Sequence, residues 1–415
     1  MSDVATSQLD LSPLRNKHFL QLLAFRVSVT FSYQIMAVVV GWHIYQITRD
    51  PLSLGLIGLA EVIPYFCTAL FAGYAVDHYS RRWFGFSASI VLVVNALVLA
   101  AIAAGLFLHD SESSLFIYIS IACVGLARAF IGPSYSAMFA QILPRQQFAR
   151  AASIGSSVLQ TGLVLGPAIG GGVIAWAGIS AAYLCSALFA LLAALAMFSL
   201  KVAQAPSSES APVFASIAQG LRFVFSNQIM LGAQALDMFA VLFGGAVAML
   251  PMFIHDVFNH GPEGLGILRA APALGAIATG LWLTRHPVQR HAGRILLIAV
   301  AGFGLSIIAF ALSGHFWLAA AILLISGVCD GVSVVVRTTI MQLVTPDELR
   351  GRVSAINGIF IGSSNELGAF ESGMTARLMG LVPSVVFGGM MTIGVVGAVA
   401  KWAPRLRRLN MRDLH

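Results

Sequence analysis

Gly73-Tyr-Ala-Val-Asp77-His78-Tyr79-Ser80-Arg81-Arg82 is a short polar, basic turn set between two long apolar runs. With hydrocarbon-like sequence on both sides, its charges and free backbone groups can be wet only at a membrane face. A Gly, an Asp and a pair of Arg at this spacing predict a turn that does mechanical work between two spans. That is a property of transport machinery rather than of a catalytic loop.

Working outward, the chain of 415 residues is 58% hydrophobic and only 10% charged. Soluble domains carry about 25% charged residues, so this chain cannot cover a water-facing surface. Its apolar content suffices for about twelve spans of ~20 residues each. Apolar runs fall near 18–47, 52–76, 83–107, 115–142, 150–176, 179–201, 227–254, 263–284, 294–313, 316–342, 353–378 and 382–402. The fold class is therefore an all-α membrane protein of twelve transmembrane helices; the strand alternation of an outer-membrane barrel is missing. Met1–Asp10 has no Lys or Arg, and no cleaved signal peptide is expected. Cys67, Cys123, Cys185 and Cys329 sit singly in apolar runs, as buried thiols rather than a redox or metal set.

The formal net charge of +7 is explained by topology. Eighteen of the 24 Lys and Arg fall in segments that share one side if the N-terminus is inside. The positive-inside rule then places both termini in the cytoplasm of a cell with a bacterial-type inner membrane. The basic charge is an orientation signal, and no nucleic-acid partner is expected. A polar stretch containing AQAPSSESAP reads as a linker. It divides the chain into 13–202 with six spans, a cytoplasmic linker 203–226, and 227–404 with six more. Within the linker, 213–225 is amphipathic and suited to the inner membrane surface.

A repeat supports this division. ILPRQQFARAASI at 142–154 aligns with VTPDELRGRVSAI at 344–356 at an offset of 202, and the same offset sets Gly125 on Gly327, Gly166 on Gly368 and Gly171 on Gly373. An offset near 211 aligns SLGLIGL with GLGILRA in the early spans. Two parallel six-helix units with a site between them near the midplane are a known transporter architecture.

At these residues the chain resembles the major facilitator superfamily over 13–404. Gly73, Asp77, Arg81 and Arg82 look like its motif between spans two and three, with His78 where a basic residue is usual and Ser80 where Gly is usual. Gly162-x-x-x-Gly166-Pro167-Ala-Ile-Gly170-Gly171 resembles the fifth-span motif of antiporting exporters. Segments around Pro144–Arg150 and Pro346–Arg352, with SNELGAFESG at 364–373, resemble the enterobactin-exporter-like and drug-efflux branch. The resemblance implies two pseudo-symmetric six-helix halves and proton-coupled export of a siderophore-like or drug-like molecule by alternating access. Gating is expected at Gly73, Asp77, Arg81, Arg82, Gly162, Gly166, Pro167, Gly170 and Arg352. Asp77 would pair with Arg81 or Arg82, or face the start of span eleven near Arg352, where the helix dipole favours an anion. Gly73 would let neighbouring helices approach closely.

Ionisable residues within spans are functional candidates because charge in hydrocarbon costs several kcal/mol. Arg26, Glu61, Arg128, Asp237, Asp330 and Glu366 fall near the middle of their spans. The offset of 202 sets Arg128 on Asp330, and the offset of 211 sets Arg26 against Asp237. Asp237 and Glu366 are the preferred proton carriers. Tyr33 and Tyr135 join the pathway because each lies seven residues from an arginine on its own helix, Arg26 and Arg128 respectively. Arg269 and Arg337 lie nearer span ends and read as structural, snorkelling side chains. His255 and Asp256 read as a solvated turn. No HExxH, GxSxG or other metal or nucleophile constellation exists, so no cofactor, no metal and no enzyme activity are expected. The expected partners are a small-molecule substrate, protons and the lipid bilayer, with the protein working as a monomer. The alternatives are an importer or exchanger of a metabolite or lipid, or a transport-inactive receptor or scaffold.

Overall fold

The structure is a computed structural model, which describes residues 13–106, 110–201, 213–346 and 349–411. The first half of the expected linker and the chain ends lie outside the described residues. Among the described residues every regular element is helical.

The long helices are α1 (Lys17–Thr48), α2 (Pro51–His78), α3 (Arg81–Ala103), α4 (Asp110–Ile142) and α5 (Phe148–Ser199). After the short α6 (Val213–Ser226) come α7 (Gln228–Phe243), a 3-10 turn Gly245–Met249, the single turn α8 (Leu250–Met252) and a π turn Phe253–Val257. The chain continues as α9 (Pro262–Arg285), α10 (Ala292–Leu312), α11 (Phe316–Val344), α12 (Arg350–Met379) and α13 (Leu381–Trp402). Polar caps set several starts. The Asn16 side chain accepts from the His18 and Phe19 amides, and Asp50 accepts from Leu52 just ahead of Pro51.

Ten stretches among the described residues are long and apolar enough to cross a membrane. The sequence reading takes its fifth and sixth spans from one of these, Arg150–Ser199, where Gly178 interrupts the helix at φ 84° and ψ 175°. It takes the eleventh from α12, which falls short in apolarity because it carries Asn357, Asn365, Glu366 and Glu371. Gly380, between α12 and α13, has φ 93° and ψ 162°. Only glycine adopts this region without strain. Gly178 and Gly380 are 202 residues apart, the spacing already found in the sequence repeat.

Helix α1 packs along α5, α4 lies on α2 and α3, and α9 and α10 both pack on α11. Helices on the two sides of the linker meet chiefly as α2 on α12 and α5 on α9. Each meeting is a glycine pair. A methyl built on Gly373 would lie 2.7 Å from the Gly55 Cα, and one on Gly171 would lie 2.8 Å from the Gly266 nitrogen. Gly55 maps on Gly266 at the offset of 211, and Gly171 on Gly373 at 202. The two contacts are thus images of each other under the repeat. Small residues are needed here because the backbones approach too closely for a side chain.

The α2–α12 contact opens along its length. A methyl on Gly58 would still overlap the Glu366 carbonyl oxygen, but one on Gly362 would be 4.0 Å from the Tyr65 ring, and one on Gly358 would meet nothing within 4 Å. The helices are closed at the end carrying Asp50 and parted toward the end carrying Arg81. Across the closed end, the Tyr45 hydroxyl donates to Asp256 at 2.5 Å, Arg49 contacts the His255 ring at 3.3 Å, and Arg377 lies 3.7 Å from Asp50. His255 and Asp256 are therefore part of a link across this end rather than a merely solvated turn.

The parting corrects the expectation for Gly73, around which a side chain would meet nothing within 4 Å. No helix is held close there in this conformation. The Asp77 side chain lies outside the described residues. Of the residues expected to pair with it, Arg81 bonds the Ala137 carbonyl and Gln141 of α4, and Arg82 bonds the Phe198 carbonyl of α5. Arg352 bonds Gln219 of α6, fastening that amphipathic helix to the start of α12. Three glycines of the fifth-span motif face α1, while Gly171 faces α9. Gly162 lies against Thr30, Gly166 against Gln34 and Gly170 against Val38, while Pro167 sits beside Gly266 of α9.

Candidate functional site

Arg128 of α4 is the hub of a buried polar cluster. Its guanidinium donates to Glu61 of α2, to the Tyr33 hydroxyl of α1 at 2.8 Å, and to Glu366 of α12 at 3.3 Å. It also lies 4.3 Å from the Tyr33 ring centroid, and the Tyr33 hydroxyl is 3.5 Å from the second Glu61 oxygen. Glu61 is buried, and Glu366 is the more exposed carboxylate, with side-chain exposures of 7% and 19%. One cation therefore joins two carboxylates that come from opposite sides of the linker.

Local sequence explains the convergence. Gly58 lies one turn before Glu61 and abuts the Glu366 backbone; Gly125 lies one turn before Arg128 and abuts the Glu61 backbone. Without a Cβ at either position, α2 approaches both α4 and α12, and the charges one turn on are drawn together. The same spacing recurs at Gly266 and Arg269, and at Gly327 and Asp330. Gly266 abuts α5 and Gly327 abuts α9. A glycine three residues ahead of the charge is thus shared by Glu61, Arg128, Arg269 and Asp330, whereas Glu366 has Ser363 in that place.

Two cavities adjoin the cluster. The larger, about 460 Å³, is lined by Tyr33, Gln34, Arg128, Arg269, Asp330, Asn365 and Glu366 among others. The smaller, about 110 Å³, shares Tyr33, Arg269 and Glu366 with it and reaches Glu61, but its remaining wall is largely apolar. Ala248 and Ala369 also line both.

Several expected placements change. Asp237 does not face Arg26 and does not line either cavity. It forms an ion pair with Arg337 of α11, and both side chains are buried at 7% and 3% exposure. Its position on α7 faces α11, and the buried guanidinium there takes it as counter-charge. Arg337 accordingly is no snorkelling side chain. Arg26 lies 4.2 Å from the Tyr135 ring centroid, so the pairing of arginine and tyrosine is between helices α1 and α4, not along each helix. Arg26 pairs with Tyr135 and Arg128 with Tyr33. Glu61, Arg128, Glu366 and Tyr33 are brought together, Asp330 joins them on the wall of the larger cavity, and Arg26 and Tyr135 form a separate contact. Arg269, read from sequence as structural, instead lines both cavities and bonds the Ala37 carbonyl at 3.2 Å.

Among the described residues no group of His, Cys, Asp and Glu is arranged to hold a metal ion. The cluster offers ion pairing and proton exchange beside a cavity between helices, which is the form of a transport site.

Comparison with known proteins agrees. The chain is 26% identical over 396 residues to the multidrug efflux pump Tap of Mycolicibacterium fortuitum, covering 91% of this chain and 93% of that protein. It is 25% identical over 260 residues to the enterobactin exporter EntS of Escherichia coli O1:K1, covering 61% of this chain and 62% of that one. Among solved structures, a POT family transporter in complex with 5-aminolevulinic acid superposes with a TM-score of 0.75 at 11% identity, covering 94% of this chain and 96% of that one. A bacterial homologue of the human lysosomal transporter Spinster gives 0.73 at 15% identity, covering 97% and 98%. These likenesses establish the fold. The family model described as Major Facilitator Superfamily matches residues 22–369, and the chain is a multi-pass membrane transporter belonging to that superfamily.

Proposed function

We propose that the chain is a proton-coupled exporter of a small organic molecule, working by alternating access between two six-helix halves, 13–202 and 227–404. It works as a monomer in the inner membrane with both termini in the cytoplasm. The observation that carries this reading is Arg128 held between Glu61 and Glu366. A single guanidinium faces two carboxylates, and a proton is the simplest counter-ion for the second. Glu366 is the one that borders both cavities and is the less buried, so it is the proton carrier. Protonation removes its charge and weakens its link to Arg128, loosening α12 from α2 and α4. Loss of the proton restores the link. Asp330 is a second carboxylate, on the wall of the larger cavity.

The charged turn at Asp77, Arg81 and Arg82, with Arg352, forms the cytoplasmic gate, and the Gly162, Gly166, Pro167, Gly170 face of α5 supports its movement. The proposed cargo is siderophore-like or drug-like. This is supported by the similarity to Tap and EntS, named respectively as a multidrug efflux pump and an enterobactin exporter.

The test is uptake into inside-out vesicles with an acid interior, using a panel of siderophores, dyes and drugs. Accumulation of at least one compound should depend on the gradient in the natural protein and vanish in Glu366→Gln. Transport indifferent to the gradient would overturn proton coupling.

A further inference from the structure

We propose that Arg269 is the residue that holds the cargo's anionic group, and that the small cavity behind it receives one apolar ring or short branched chain. The cargo class is then a monoanionic amphiphile, such as an aromatic carboxylate, or a larger molecule with one arm of that kind. This rests on the reading of the cavity as the cargo site and deepens it.

Two cations border the cavities, and their situations differ. Arg128 has Glu61 and Glu366 as ion-pair partners and Tyr33 as a third acceptor. An anion arriving there would meet two carboxylates. Arg269 has no carboxylate within 4 Å among the described residues, and its one hydrogen bond is to the Ala37 carbonyl. A guanidinium carries five N–H donors, so most of its capacity faces the two cavities it lines. Glu366 acts on Arg269 only from beyond direct ion-pair distance, and a guanidinium without a direct ion-pair partner is costly to hold at this depth, a cost that a bound anion relieves. A carboxylate suits the site because it accepts two parallel N–H bonds from one guanidinium.

The second observation is the small cavity itself. Met36, Val40, Leu54, Ile57, Ile121 and Val124 provide much of its wall, and Arg269 stands where it meets the larger cavity. Its volume of about 110 Å³ is near that of an apolar cavity of about 150 Å³ that accepts benzene in another protein. A charged group at Arg269 would therefore carry an attached apolar group into this space. Asp330, on the wall of the larger cavity, disfavours a second negative charge on the same molecule.

Equilibrium binding to the full-length protein in lipid nanodiscs tests the inference with four probes: benzoate, its neutral analogue benzamide, benzylammonium and acetate. Benzoate should bind saturably, and each of the other three should compete at least about tenfold more weakly. Arg269→Gln should weaken benzoate by about tenfold or more, with Arg269→Lys intermediate. Gly41→Val projects into the small cavity, where a Cβ would first meet the Pro251 side chain at 3.7 Å. It should weaken benzoate and leave acetate unchanged. A preference for benzylammonium overturns the inference. So does unchanged benzoate binding in Arg269→Gln, or no benzoate binding by protein with a normal melting curve. If Arg269→Gln fails to fold, Arg269→Lys and Gly41→Val decide the matter. Because binding is read without a pH gradient, benzoate held at Arg269 with no gradient-driven transport would sink the export reading alone. Gradient-driven transport that favours cations would sink this inference alone.

Discussion

The two buried ion pairs of this protein carry different consequences for substitution. Glu61 is the tighter partner of Arg128 and reaches only the smaller cavity, whereas Glu366 borders both. Glu61→Gln removes the charge that holds Arg128 in its buried place and should lower stability by about 1–3 kcal/mol, read as a lower melting temperature in detergent. Glu366→Gln leaves Arg128 balanced by Glu61, so the melting temperature should stay near normal while gradient-driven transport is lost. The Asp237–Arg337 pair lies outside the cavities, and removing one member strands the other. Asp237→Asn should cost about 3–5 kcal/mol and sharply reduce the protein recovered from membranes, whereas the double substitution Asp237→Leu with Arg337→Met should restore recovery. Normal recovery of Asp237→Asn with transport abolished would instead return Asp237 to the proton pathway. At this scale the sequence disclosed which residues are costly, because charge in an apolar run is visible. It did not disclose which charges meet. Span one continues unbroken to Thr48, whereas its counterpart passes through a 3-10 turn at Gly245–Met249 and a π turn at Phe253–Val257. Such turns change the rotation per residue, and an offset taken from one span does not predict facing side chains in the next.

Among the elements, the breaks between helices follow from glycine chemistry. Gly178 and Gly380 hold φ of 84° and 93° with extended ψ, a region that strains any residue with a Cβ. Gly178→Ala and Gly380→Ala should each destabilise the protein by about 1–3 kcal/mol. Gly172→Ala should be neutral or stabilising by up to about 1 kcal/mol, since it lies within α5 with open space about it. Melting curves of the three variants check this; equal effects at all three positions would show that the unusual backbone is not what matters. The element boundaries were largely legible, because run length, proline and glycine punctuate an apolar chain strongly. The sequence reading takes helix α12 as a span despite its polar residues, and two of those, Asn365 and Glu366, line the larger cavity. The role of Arg269 was hidden because depth was counted from the end of its span, while the informative feature was Gly266 one turn before it.

For the whole molecule, the observed conformation is closed at the Asp50 end and parted toward Arg81, and the proposed alternating access requires the reverse arrangement to be reachable as well. A sequence serves both states at once, so it reveals the machine and not its position in the cycle. The motif around Gly73–Arg82 shows this: its glycine is unpacked here because its end is parted. The bonds across the closed end set how often that end opens. Tyr45 reaches Asp256 at 2.5 Å, a charge-assisted bond between α1 and the π turn. Such bonds contribute about 1.5–3 kcal/mol, less where partly hydrated, as Asp256 is. Loss of about 1.4 kcal/mol shifts the open-to-closed ratio about tenfold. Tyr45→Phe removes the bond and Asp256→Asn leaves only a neutral acceptor, so both should favour opening at this end. The double substitution should add little to Tyr45→Phe alone, because both act on the same bond. The measurement is the rate at which a membrane-impermeant maleimide, added to intact cells, labels a single cysteine introduced by Ala248→Cys in a chain whose four natural cysteines are replaced. Residue 248 lines both cavities, and in the proposed orientation it is reached from outside only when the closed end parts. Labelling should rise severalfold in each variant. Unchanged labelling would mean that the glycine contacts at Gly55–Gly373 and Gly171–Gly266 hold this end shut without the polar link. Full additivity would mean that Tyr45 and Asp256 act through separate partners.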